Sequence, residues 1–219
     1  MKAIMDLHTH TLAAGHAYST LLENIDAALA MGLQYLGMSE HGPTSPGGPH
    51  NFFFSNYKVI PRIYDREENT GRVIPKPDGS LRLLCGVEAN ICSTNGELDL
   101  EERYLQKMDY ALASIHPFAF TAGSRKENTL ASVRAFQNPY VKILGHPDDG
   151  RFPLDYDELV REARQAQAVL EVNNSSLNPQ VGQTRRQRKY YRAVKDLHEV
   201  WSACYNGNGQ PYVLCHRSI

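Results

Sequence analysis

His8 and His10 flank a threonine in Asp6-Leu7-His8-Thr9-His10, at the end of the first apolar run, and His16 follows six residues later. If residues 3–7 form a strand, side chains alternate faces, so both imidazoles point the same way and can grip one metal ion. His41, Glu88, His116 and His146 each close another short apolar run. Chance puts one or two such residues at strand ends but hardly six. Neutral imidazoles sharing one carboxylate suit Zn²⁺, Mn²⁺ or Fe²⁺, and the lack of an oxygen-rich cage argues against Ca²⁺. The seven candidate ligands, His8, His10, His16, His41, Glu88, His116 and His146, are too many for one tetrahedral ion. At least two ions are implied.

A strand followed by a helix recurs along the chain. Residues 3–7, 35–38, 81–87, 110–115, 141–144, 169–172 and 211–214 read as strands. Thr20-Leu-Leu-Glu23 is a capping-box pattern; Leu21, Ile25, Ala28 and Leu29 then make an apolar stripe that ends at Gly32. Helices are also expected over residues 155–167 and 187–203, with a short one over 57–65 and a turn over 93–96. Such alternation argues for parallel strands with right-handed crossovers. The expected fold is a barrel, because candidate ligands come from nearly every strand end, where barrel enzymes place their chemistry. An open sheet would concentrate its site at one switch point.

With 219 residues the chain is expected to form one domain, residues 1–219. Its 23 basic and 24 acidic residues leave a net charge of −1, so no bulk field favours nucleic acid or an anionic membrane. No signal segment or membrane-spanning run is present, which makes a cytoplasmic protein the expectation. Cys85, Cys92, Cys204 and Cys215 lack zinc-knuckle spacing and read as incidental thiols. Oligomeric state is not readable from these residues.

Other polar residues are weaker candidates. Asp6 could orient an imidazole from behind. His50 lies in the Gly/Pro-rich loop over residues 42–49 and its continuation, where a substrate contact or plain exposure both fit. Arg62, on the short helix expected over 57–65, could clamp a phosphate or simply be a solvated charge. Asn174, in Asn173-Asn174-Ser175-Ser176, could bind substrate or turn the chain.

Together these stretches resemble the PHP (polymerase and histidinol phosphatase) superfamily. Its opening motif resembles Asp6-Leu7-His8-Thr9-His10 with His16-Ala17-Tyr18-Ser19-Thr20. Further motifs resemble Ser39-Glu40-His41-Gly42-Pro43, Gly86-Val87-Glu88-Ala89-Asn90-Ile91, Ser114-Ile115-His116 and Gly145-His146-Pro147. The YcdX-like bacterial phosphatases share the His-Ala-Tyr-Ser-Thr stretch and a Glu-x-Asn-Asn-Ser-Ser stretch. The resemblance runs from about residue 3 to about residue 214, and implies an α/β fold, a distorted (βα)7 TIM-like barrel holding up to three Zn²⁺ ions. By the same likeness His8, His10 and Glu88 hold one ion, Glu88 bridges to a second on His116 and His146, and His16 and His41 hold a third.

The family also carries Asp-x-His after its last strand. Here Cys215-His216-Arg217-Ser218-Ile219 follows residues 211–214, with Arg217 and Ile219 at those positions. The expectation is therefore a barrel whose C-terminal closing segment is missing, through truncation or a frameshift.

The chemistry that follows is metal-assisted hydrolysis of a small phosphorylated substrate, with Glu88 and His16 serving the activated water. Histidinol phosphatase activity is one alternative. An inactive remnant that binds metal without turnover is another.

Overall fold

The computed structural model describes residues 4–173 and the pair 215–216. Six strands lie in the order β1 (Met5–Thr9), β2 (Tyr35–His41), β5 (Leu81–Asn90), β6 (Tyr110–Ser114), β7 (Val141–Leu144) and β8 (Val169–Leu170). Every neighbouring pair is parallel. Between β2 and β5 the chain forms a hairpin of β3 (Ile63–Arg66) and β4 (Val73–Pro75), with β3 antiparallel to the start of β5. After β8, β9 (Val172–Asn173) pairs in parallel with β10 (Cys215–His216), and β10 lies beside β1.

The sheet curls into a half-barrel. Met5 on β1 packs against Tyr110 and Leu112 on β6 and Ile143 on β7, although β1 and β7 stand far apart in the strand order. Only curvature brings them together. Helices cover the convex side. Ile25 and Ala28 of α1 (Leu21–Met31) pack on Leu36, Met38, Leu83 and Val87. Ala131 and Ala135 of α4 (Arg125–Ala135), with Leu159 and Ala163 of α5 (Tyr156–Ala166), cover Ala113, Leu144 and Leu170.

Local sequence explains most boundaries. Thr20 and Glu23 form the expected capping box, and Gly32 ends α1 at φ 70°, a conformation that favours glycine. The turn over residues 93–96 closes an Ile91–Leu98 bridge. α4 is absent from the sequence-based expectation although Ser124 and Glu127 form the same capping box. Its buried face is Asn128, Thr129, Ala131, Ser132 and Ala135, too small and polar to show as an apolar stripe.

Two expectations are corrected. No helix spans 57–65: α2 (Asn51–Ser55) gives way to a 3-10 turn over Asn56–Val59, and β3 follows. Pro61 removes a helical donor and disfavours helix in the residue before it, while Ile63 and Tyr64 pair with Arg82 and Leu81. The strand expected to close at residue 87 runs on to Asn90, which puts Glu88 inside β5 opposite His41 of β2. The helix expected over 187–203 and the strand over 211–214 lie outside the described residues. So does Cys204; Cys85 and Cys92 are free thiols, and burial pushes Cys85 up to about 12. No helix among the described residues is long and apolar enough to cross a membrane.

The barrel interior is filled at its lower end by Tyr110, whose hydroxyl donates to the Leu7 carbonyl at 2.6 Å. Glycines make room for the ring. A Cβ on Gly86 would lie 2.6 Å from a Tyr110 ring carbon, and one on Gly37 would lie 2.7 Å from the Leu7 Cα. Backbone at Leu7 cannot swing aside, so Gly37→Ala is expected to cost ~1–3 kcal/mol, seen as a lower thermal midpoint.

Candidate metal centre

Glu88 is buried to 1% exposure at the C-terminal mouth of the half-barrel, inside a ring of imidazoles. Its Oε2 faces His8 Nε2 at 3.2 Å, His10 Nε2 at 3.4 Å and His41 Nδ1 at 2.7 Å. Its Oε1 faces His146 Nε2 at 3.0 Å and His116 Nε2 at 3.3 Å. One carboxylate thus fronts two sets of nitrogens. His16 joins from the loop after β1, its ring 5.1 Å from His10 and 4.8 Å from His41. All seven residues singled out by spacing come together here.

The donors cluster without satisfying one another. His10 Nδ1, His41 Nδ1 and Glu88 Oε2 have no hydrogen-bond partner among the described residues. His41 Nδ1 and Glu88 Oε2 are close, but their angles are not those of a hydrogen bond. His116 Nε2 and His146 Nε2 stand 3.2 Å apart, where two lone pairs would repel. Three groups bring their donor atoms within 4.8 Å of one another: His8, His10 and Glu88; His41, Glu88 and His116; and His10, His16 and His41. Buried, unpartnered nitrogen and carboxylate donors facing one space fit divalent cations of the zinc type.

The far side of several rings is pinned. His116 Nδ1 lies 2.7 Å from Asn90 Oδ1, and the Asn90 amide donates to Asp99 at 2.6 Å, which fixes the amide's orientation. His116 must then donate from Nδ1 and keep Nε2 as a bare acceptor. His16 Nδ1 lies 3.3 Å from the Ala14 carbonyl. His8 Nδ1 lies 2.8 Å from Oε1 of Glu171, a residue buried to 2% exposure.

Electrostatics follow from this packing. Burial alone would push the Glu88 carboxyl up, but the His8 charge and contacts from His116, His146 and His41 outweigh it and hold it well below the carboxylate range. Burial would likewise lower His8, yet Glu171 and Glu88 on its two sides raise it well above an ordinary histidine. Glu171, pushed up by burial and pulled down harder by His8 and His146, sits at about 2. His10 is lowered well below the usual value, chiefly by burial.

Loops present the rim. Thr11 donates from its backbone N–H to Glu40 at 3.0 Å and caps the 3-10 turn that carries the chain toward His16. Gly15 at φ 77° touches Gly47 of the loop after β2, where a Cβ would lie 2.5 Å from the Gly47 carbonyl oxygen. Phe118, 42% exposed, stacks on His116 with ring centres 5.0 Å apart.

Other candidates fall elsewhere. Arg62 pairs with Asp109, just ahead of β6 at the opposite end of the strands from Glu88 and His116, so it does not reach the cluster. His50 caps α2 by accepting the Phe52 N–H at 3.2 Å. It belongs to none of the three donor groups. Asp6 accepts the His8 backbone N–H at 3.1 Å. Asn174 lies outside the described residues. Glu40, Asn90 and Glu171 stand in stretches that carry the family resemblance, but no function of their own was expected of them; a carboxylate inside the apolar Val169-Leu170-Glu171-Val172 stretch was the available signal.

A parallel half-barrel with a His/Glu cluster at its strand ends has the layout of a barrel-type metal-dependent protein. The chain belongs to the PHP domain family, whose domain matches residues 6–181. It is 42% identical over 179 residues to a probable phosphatase of Clostridium acetobutylicum, covering 81% of this chain and 67% of that protein. A probable phosphatase of Caldanaerobacter subterraneus subsp. tengcongensis is 41% identical over 177 residues, covering 80% and 64%. The chain spans about two thirds of the length of these relatives. Among solved structures it resembles histidinol phosphate phosphatase from Lactococcus lactis, complexed with zinc, L-histidinol and phosphate. The TM-score is 0.53 at 14% identity, covering 96% of this chain and 84% of that one, a likeness of fold.

Glu88→Gln is expected to weaken zinc binding by more than the ~10–100-fold typical of an outer-shell partner, measured by chelator competition. Zinc should raise the thermal midpoint of the metal-free parent by preferential binding to the folded state, and raise that of the variant much less.

Proposed function

We propose that the chain is a metal-dependent phosphomonoesterase acting on small phosphorylated metabolites through a trinuclear centre. The carrying observation is Glu88, whose two oxygens face separate imidazole sets. His8, His10 and Glu88 would hold one ion, Glu88, His116 and His146 a second, and His16 and His41 a third. Zinc suits these donors, with Mn²⁺ or Fe²⁺ as substitutes. Relatives named probable phosphatases support the reaction class. The pairing of β9 with β10, and of β10's place beside β1, supports a ring of seven parallel strands.

When bound, such ions supply Lewis acidity for phosphoryl oxygens and a water that ionises near neutral pH. The chain's residues do the rest. Glu88 brings negative charge into the middle of the centre and ties its halves together. Asn90 and the Ala14 carbonyl hold the Nδ1 sides of His116 and His16, leaving their Nε2 atoms toward the cleft. His16 is the exposed imidazole at the rim, on the side open to an incoming ester and its leaving group. Phe118, stacked on His116 at the mouth, offers an apolar wall for the organic part of the substrate.

Purified protein should release phosphate from p-nitrophenyl phosphate, lose that activity on chelation, and regain it with Zn²⁺ or Mn²⁺. Metal uptake without turnover of this or of any small phosphomonoester, histidinol phosphate included, would overturn the hydrolase reading. Phe118→Ala is expected to raise KM for the aryl ester several-fold, on the order of 1 kcal/mol of lost aromatic contact, with kcat little changed.

A further inference from the structure

We propose that Glu171 is the positioning residue of the centre: one carboxylate that spans the seam of the curled sheet and sets two of the imidazoles facing Glu88. The proposal rests on the metal-centre reading above only for its consequence on metal affinity.

The seam lies where the strand order ends. β1 stands at one edge and β8 at the other, and among the described residues no backbone ladder joins β1 to β8 or β9. Glu171 occupies the single position between β8 and β9. Its backbone N–H still donates to the Leu144 carbonyl at 3.0 Å, so the residue is anchored on the β7 side. Its side chain crosses to the other edge. Oε1 lies 2.8 Å from His8 Nδ1 on β1, and Oε2 accepts the His146 backbone N–H at 2.6 Å.

Both contacts act behind the imidazoles rather than among the donors. Nδ1 and Nε2 point to different sides of an imidazole, so a carboxylate accepting from Nδ1 of His8 leaves Nε2 directed at Glu88 Oε2. The second contact fixes a backbone that is otherwise unfavourable. His146 sits at φ 30°, one of two non-glycine residues at positive φ among those described. Such a residue persists only where its surroundings over-determine it. The bond to Glu171 supplies that constraint and holds His146 Nε2 3.0 Å from Glu88 Oε1. Through two ligand candidates on opposite sides of the seam, Glu171 thereby sets both oxygens of Glu88 in their surroundings.

The chemistry needs a carboxylate. Both partners are N–H donors, and a carboxylate has two accepting oxygens for them. A glutamine has the same length but one accepting oxygen, and its amide would face one of the donors with a donor of its own. An alanine would remove both accepting oxygens at once.

The test uses the full chain, with Glu171→Gln as its near-isosteric variant. In metal-free parent protein, long-range ¹H–¹⁵N correlation should show His8 protonated at Nδ1, whether as the imidazolium or, at higher pH, as the neutral Nδ1–H tautomer. A neutral His8 protonated on Nε2 in the parent would overturn the proposal without any variant. Glu171→Gln should keep its far-ultraviolet circular dichroism, shift the His8 ring nitrogens, and lose ~10–100-fold in zinc affinity by chelator competition. A folded variant with unchanged ring nitrogens and unchanged zinc affinity would also overturn it. If the parent takes up no zinc, the metal-centre reading fails instead, and the His8 proton position still decides the role of Glu171.

Discussion

A carboxylate buried to 1% exposure is tolerable only if its surroundings replace the water it has lost. An isolated buried charge of this kind costs several kcal/mol even after relaxation, so Glu88 constrains everything around it. Five imidazoles from the ends of β1, β2, β6 and β7 answer that demand. Parallel strands make this achievable, because all their C-terminal ends open on one face. The interior below is closed by Met5, Tyr110, Leu112 and Ile143, so the polar cluster rests on an apolar floor.

The centre is held in layers of differing rigidity. His8, His41 and Glu88 lie on strands, where backbone ladders set their spacing. His10, His16, His116 and His146 lie just beyond strand ends and need extra restraint. Glu40 receives the Thr11 N–H, and Asn90 ties His116 to Asp99, whose Oδ2 accepts both the Asn90 amide and the Thr44 N–H, the latter at 2.9 Å. These polar links connect the loop after β2 with the β5 and β6 ends. They make the rim a network that restrains His116 and the loop leading to His16, and half-satisfied versions of such networks are costly.

How much of this could be read in advance varied with the kind of signal. The helix at residue 21 was legible because Thr20, Glu23 and Gly32 mark its ends and its apolar stripe faces the sheet. α4 has the same cap but no apolar stripe to mark it, since its buried face is made of Asn, Thr, Ser and Ala. The stretch around Arg62 reads as helix by sequence because a short mixed segment shows no clear period, whereas β3 is decided by its pairing with β5. That pairing puts Arg62, a candidate phosphate clamp by sequence, in an ion pair with Asp109 at the other end of the strands.

Sequence alone determined the donor set. Histidine and glutamate at the ends of apolar runs carry their chemistry in their residue types, and strand alternation with parallel topology suffices to send them to one face. Only the tertiary structure decided how they are held. Glu171 and His8 are separated by 163 positions, and His116 and Asn90 by 26, so no local pattern announces either contact. Such partners follow from how the sheet curls and where its edges meet, a property of packing across the whole domain. The same reason explains Arg62, whose place depends on which strand its segment pairs with rather than on its own charge.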